Sequence, residues 1–159
     1  MTYTDLATRI DALESHVAIN RLISSYAQAF DNHDEDLLKS IWHPDARLAL
    51  GGDLGEEKGV DAILKSARAN WAVMPKMHHW MANAIIDIDG DTATGSAAVD
   101  CLCIHIEQGP LQISGLYRDY YERRDRVWGI VDRSFTMHFL TPLQNWKSVS
   151  GSEAKQKSA

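Results

Sequence analysis

The sequence predicts an α+β fold in which helices come first and a curved, mostly antiparallel sheet wraps around them. Three observations carry this. Apolar residues recur at three- and four-residue spacing in the N-terminal half, alternation of apolar and polar residues takes over from Met77, and short turn pairs separate the alternating segments. That is the order of an α+β protein rather than of repeated βαβ units.

Each element follows from its own residues. Leu6, Ile10, Leu13 and Val17, then Leu22, Tyr26 and Ala29, mark an amphipathic helix over about residues 5–31, with a bend allowed between His16 and Asn20. Asn32-His33-Asp34 supplies a cap and an acidic first turn for a short helix running through Trp42, and His43-Pro44-Asp45 ends it. Ala46 to Leu50 reads as a short strand. Gly51, Gly52, Gly55 and Gly59 punctuate a loop before a third helix, Asp61 to Val73, which Pro75 closes. Strands are expected over 77–88, 92–107, 111–124 and 127–140, turning at Asp89-Gly90, Gly109-Pro110 and Asp125-Arg126.

At 159 residues and 45% hydrophobic, the chain suffices for one core, and residues 1–146 are read as one domain. Residues 147–159 are polar, small and charged, so a flexible tail is expected there. A formal net charge of −6, with cations scattered among acids, argues against nucleic acid and anionic membranes as partners. The first residues lack a basic region followed by an apolar run, and no segment approaches the roughly 18 apolar residues of a membrane span; a cytoplasmic protein is expected. Cys101 and Cys103 share one strand face and read as reduced, packed thiols. No His or Cys spacing suggests zinc, and the glycine among Asp87, Asp89 and Asp91 comes too early for a calcium loop, so no metal is expected.

Polar residues in apolar settings single out a candidate site, because such placements cost stability unless something offsets them. On the last strand the odd positions are Val127, Gly129, Val131, Arg133, Phe135, Met137 and Phe139, which puts one guanidinium on an apolar face. Arg133 must there meet a core carboxylate or a ligand. Asp100 shares a face with Ala98, Leu102 and Ile104, but the opposite face of that strand is apolar too, and periodicity does not choose between them. Asp31 ends the first helix, where the helix dipole disfavours an anion, unless it only begins the next cap. Tyr26 lies roughly 140° from it around an ideal helix. His78 and His79 are strand neighbours and must face opposite ways. His16, His33, His43, His105 and His138 read as surface or supporting residues.

The run from Leu22 to Asp31, then Ile41-Trp42-His43-Pro44-Asp45-Ala46, His79, Asn83, Asp89-Gly90-Asp91, Tyr121 to Arg124, Trp128 and Arg133 resembles SnoaL-like domains of the nuclear-transport-factor-2-like superfamily along nearly the whole chain. The resemblance implies a cone-shaped α+β barrel with an interior pocket, and a homo-oligomer, dimer or trimer. The similar enzymes are scytalone dehydratase, bile acid dehydratase and hexachlorocyclohexane dehydrochlorinase, all of which perform eliminations without a cofactor. By resemblance to the last, Asp31 orients His79, the histidine removes a proton, and Arg133 matches a pocket arginine. The dehydrochlorinase carries a lysine at the position of Tyr26 and an apolar residue at that of Asp100, whereas bile acid dehydratase carries the tyrosine and the aspartate.

The set Tyr26, Asp31, His79, Asp100 and Arg133 is therefore expected to be catalytic in a dehydratase-type lyase acting on a hydrophobic carbonyl compound. In it His79 is the base, Asp31 fixes its tautomer, and Tyr26 donates to an enolate oxygen. Asp100, or the proton returned by His79, would help the hydroxyl leave, and Arg133 would bind a polar end of the substrate or hold Asp100. Trp42, Leu48, Ala98, Leu102, Ile113, Tyr117 and Phe135 are the expected substrate-binding surface. A ketosteroid-isomerase-type isomerase, a non-catalytic small subunit of a ring-hydroxylating dioxygenase and a ligand-binding protein are the alternatives.

Overall fold

The computed structural model describes residues 3–51 and 55–146, so the expected tail at 147–159 lies outside the described residues. Helix α1, Tyr3–Asn32, is one continuous helix. Its halves do different work. Leu6, Ile10, Leu13 and Val17 are exposed, whereas Ile19, Leu22, Ile23, Tyr26, Ala29 and Phe30 enter the core.

The helix ends in a tight left-handed corner. His33 takes φ +55°, the Asp34 N–H reaches the Ala29 carbonyl at 2.9 Å and the His33 N–H reaches that of Phe30 at 3.4 Å, which satisfies two terminal carbonyls. Asp34 then caps α2, Glu35–Ser40, its Oδ1 accepting the Leu37 N–H at 2.9 Å. The short helix was expected to run through Trp42. It stops earlier, because Trp42 opens strand β1, Trp42–Ala49, and Trp42 and His43 are buried there. Pro44, expected to break a helix, is inside that strand. A register shift between Trp42 and Arg47 leaves it without a ladder partner, so its missing N–H does no harm.

A three-residue strand not expected from the sequence, β2, Glu56–Lys58, pairs with β1. Helix α3, Val60–Val73, follows Gly59 at φ +82° and buries Ile63, Leu64, Ala67 and Trp71. Strands β3, Lys76–Asp89, β4, Thr92–His105, β5, Gly109–Arg124, and β6, Val127–Pro142, form the expected meander. The six strands lie in the order β2-β1-β6-β5-β4-β3, antiparallel except where β1 runs parallel to β6. The sheet curves around α1 and α3 without closing, giving a cone with a seam between β2 and β3. Among the described residues, no helix is long and apolar enough to cross a membrane.

Strand β6 does not keep one face inward as simple alternation expects. Tyr120 pairs with Asp132 but Tyr121 with Ile130, and Ser114 pairs with Phe139 but Gly115 with Met137, so Val131 and His138 are extra residues in two bulges. Each bulge reverses the alternation. Trp128 and Ile130 are therefore buried while Val127 is exposed, Arg133 and Phe135 then face in, and Phe139 faces out. Gly115 makes room for this path: a Cβ there would collide with the Thr136 carbonyl and the Phe135 ring.

Candidate active site

A cavity of about 150 Å³ opens between the helices and the inner face of the sheet. Tyr26 and Phe30 line it from α1; Ser66, Ala67 and Asn70 from α3; Leu48 and Leu50 from β1 and just after it; and Met74 from beyond α3. The sheet contributes Met77 and His79, Val99 and Cys101, Ile113 and Tyr117, and Phe135 and Met137. Most of this surface is apolar. Its polar lining residues are His79, Tyr26, Tyr117, Ser66, Cys101 and Asn70, whose Oδ1 is buried without a partner.

The end of α1 and the free edge of β3 build the titratable part. Because β3 pairs only with β4, alternate N–H groups on its other side need a partner, and the Asp31 carboxylate takes that of His79 at 3.0 and 3.2 Å. The same carboxylate meets His79 Nδ1 at 2.6 Å. Trp71 pins the corner: its Nε1 donates to the Phe30 carbonyl at 3.1 Å, and its ring stacks on His33 at 5.0 Å. Burial acts to raise the Asp31 pKa, but the hydrogen bonds from the His79 side chain and backbone, with the charges of His79 and His78, outweigh it and hold the carboxyl below its ordinary range.

Geometry then fixes the tautomer. An ionised carboxylate can only accept, so the neutral His79 ring keeps its proton on Nδ1 and its lone pair on Nε2. Nε2 makes no hydrogen bond among the described residues, and the His79 side chain is 8% exposed. An Nε2 lone pair at a mostly apolar cavity, with a carboxylate behind the ring, is the arrangement of a general base. His78 faces solvent at 62% exposure, although its Nδ1 comes within 3.8 Å of Asp31. Asp31 itself is not among the cavity-lining residues, and α1 stays helical through it, so it and Tyr26 act from different sides of the helix.

Arg133 meets a core carboxylate, one of its two expected partners, rather than a ligand, and Asp100 is not on the face that a site role requires. Arg133 is fully buried and bound through Nε and Nη2, each at 2.7 Å, to both oxygens of Asp119, and it does not line the cavity. It therefore neither touches a ligand there nor holds Asp100. Asp100 is exposed on the outer face of β4, hydrogen-bonded by Ser114 across the sheet, with Ala98 and Leu102 on the same side. The inner face of β4 is instead Ala93, Ala97, Val99, Cys101 and Cys103, which removes Asp100, Ala98 and Leu102 from the site. Trp42 is in the core with its ring 6.1 Å from that of Tyr26, not at the cavity wall. Leu48, Ile113, Tyr117 and Phe135 do line the cavity. His43, expected at the surface or in support, is buried, with Nε2 2.9 Å from the Glu122 carbonyl.

Sequence reasoning missed Asp119, Cys101, Val99 and Asn70 as site residues. The signals were present. Asp119 continues the face Leu111, Ile113, Gly115, Tyr117 by one more alternation, and Asn70 extends the helical stripe of Ile63 and Ala67. Among the described residues no three His, Cys, Asp or Glu side chains converge as a metal-ligating group.

Fold and site together define an open α+β cone with a histidine-carboxylate pair beside an interior cavity. Residues 11–134 match the family model described as a SnoaL-like domain, and the chain belongs to that family. Hexachlorocyclohexane dehydrochlorinase 1 of Sphingobium indicum is 31% identical over 137 residues, covering 84% of this chain and 88% of its own. A crystal structure of a type 2 hexachlorocyclohexane dehydrochlorinase superposes with a TM-score of 0.85 at 29% identity, covering 90% of this chain and 98% of that one. A scytalone dehydratase-like protein from Novosphingobium aromaticivorans shares the fold, with a TM-score of 0.77 at 19% identity, covering 86% of this chain and 92% of that one.

Proposed function

We propose that the protein is a cofactor-independent lyase that eliminates water from a hydrophobic carbonyl compound. One observation carries this: His79, protonated on Nδ1 by its bond to Asp31, offers Nε2 to an apolar cavity that also holds the Tyr26 hydroxyl. Nε2 takes the proton next to the carbonyl, the electron pair moves onto the carbonyl oxygen, and Tyr26 donates a hydrogen bond to the enolate that forms. The enolate then expels the β-hydroxyl as water, using the proton that His79 has just taken, and an α,β-unsaturated carbonyl remains. Burial raises the Tyr26 pKa, so the phenol stays a neutral donor throughout the working range. The relatives named as dehydrochlorinases support elimination as the reaction class.

A second reading has its own support. With Asp100 outside the cavity, a departing hydroxide depends on the proton that His79 has taken, whereas chloride leaves without a proton. The two are separated by incubating the protein in deuterated water with a panel of β-hydroxy ketones and, separately, with polychlorinated cyclohexanes, while following deuterium uptake, water loss and chloride release. Water loss with exchange supports dehydration, chloride release supports dehydrochlorination, and exchange alone identifies an isomerase. Binding without any of these would sink the enzymatic proposal. Elemental analysis showing stoichiometric zinc or iron would overturn the cofactor-independent part.

The proposal extends to assembly and compartment. Trp80, Ile85 and Phe139 are exposed apolar side chains on the sheet, suited to contact with further copies in a homodimer or homotrimer. A concentration-independent monomer mass in sedimentation would refute assembly. The cytoplasm, where thiols such as the free Cys101 and Cys103 stay reduced, is the proposed location, to be checked by fractionation.

A further inference from the structure

Two phenols and a cation form a second polar unit at the cavity. Tyr117 Oη donates to Tyr26 Oη over 3.5 Å, a long bond between two buried side chains. A guest oxygen about 2.7 Å from each could accept from both. Behind the rings, the Arg133 guanidinium carbon lies 4.3 Å from the Tyr26 centroid and 4.6 Å from that of Tyr117. Asp119 fixes it there, and Tyr121 donates to Asp119 Oδ2 at 2.5 Å, so the carboxylate is held from two sides. Arg133 and Asp119 are both fully buried, and Arg133 Nη1 has no partner.

We propose that Tyr26 and Tyr117 together form an oxyanion site, which binds the anionic oxygen of an enolate or phenolate, and that Arg133, positioned by Asp119, strengthens it through the two rings without touching the ligand. Its role in turnover rests on the lyase reading; its role in binding does not. A cation against the faces of two phenols draws electron density from their hydroxyls, and because all three side chains are buried that polarisation is weakly screened. Burial pushes both phenol pKa values up while the Arg133 charge opposes it, so both remain neutral donors that the cation has made stronger. A cavity of about 150 Å³ takes one aromatic ring. The aromatic wall of Tyr117 and Phe135, centroids 5.0 Å apart, favours a flat ligand.

The probe is 4-nitrophenol, whose phenolate absorbs at a wavelength where the phenol does not, and which offers neither an abstractable carbon-bound proton nor a β-leaving group. Titrated into the full-length protein across its ionisation range, it should bind preferentially as phenolate, with the preference seen as a lowered apparent pKa of the bound form. Tyr117→Phe and Tyr26→Phe should each weaken phenolate binding about ten- to a hundredfold while changing neutral phenol binding little. The double replacement Arg133→Met with Asp119→Leu removes the buried pair without leaving either charge alone, and should keep the fold while reducing the phenolate preference. No preference for phenolate in the parent protein, or the same preference in Tyr117→Phe, would overturn the proposal. Phenolate binding in a protein with no turnover would overturn only the lyase reading.

Discussion

The molecule contains two carboxylate-cation pairs built from similar groups and put to opposite uses. At the edge of β3, Asp31 holds His79 by Nδ1 and leaves Nε2 free; in the middle of the sheet, Asp119 holds Arg133 by two nitrogens and both side chains are sealed from solvent. One pair is open on the side that faces the cavity, and its basic group is an imidazole whose Nε2 has no hydrogen bond among the described residues. The other is closed, and its cation keeps its charge at any working pH. Access and proton affinity, rather than the presence of a salt bridge, separate a group that can react from one that can only polarise its neighbours.

The contrast can be broken by substitution, and the largest effect is expected at His79. His79→Gln should lower turnover on the order of 10² to 10⁴-fold, the usual contribution of a general base, with the melting temperature and ligand affinity largely kept. A variant that fails to fold, or one that turns over normally, would count against the open pair as the reacting one. Asp119→Ala should act in the other way, costing about 3–5 kcal/mol of stability, because it leaves the buried guanidinium uncompensated. Denaturant unfolding measures this, and a loss below about 1 kcal/mol would mean that Arg133 finds another partner.

Asp31→Asn should cost less activity than His79→Gln, since the imidazole remains but loses its tautomer control. It also tests pH dependence. The Asp31 pKa is lowered in the folded protein, so its stabilising effect is fully present above the ordinary carboxylate pKa, near 3.9, and is lost as pH falls through the lowered folded value. The stability gap between parent and Asp31→Asn should therefore be constant at neutral pH and close below about pH 4. A gap that persists in acid would contradict a depressed pKa. The smallest effect is expected at Asp100. Being exposed on the far face, Asp100→Asn should leave turnover unchanged and shift stability by no more than about 0.5 kcal/mol; a large loss of activity would return it to the site.

Much of the fold was legible because periodicity records which face of an element is buried. The helical spacing in α1 and α3, the alternation of β3 to β5 and the turn pairs between them placed these elements to within a few residues. Strand β1 was harder. Its parallel pairing with β6 makes partners of residues such as Leu48 and Arg133, and no local pattern announces so distant a partner. At the site, His79 and Asp31 were named together from the resemblance, and so was Asp100, which the resemblance misplaced and which local pattern could not correct, because both faces of β4 are apolar and the sequence there fits either orientation.

The sequence by itself determined the order of elements, the α+β class, and the presence of a histidine, an aspartate and a tyrosine in the right stretches, because these depend on local spacing and residue chemistry. Only the tertiary structure decided which polar groups meet. Bulges at Val131 and His138 reverse the alternation of β6, and the first of them turns Arg133 to the face where Asp119 waits on β5. The free edge of β3 gives Asp31 a backbone N–H as well as an imidazole, and so settles which histidine nitrogen keeps its lone pair. Register shifts and sheet edges arise from pairing between distant segments, and that pairing is set by the packing of the whole core rather than by any one stretch of chain.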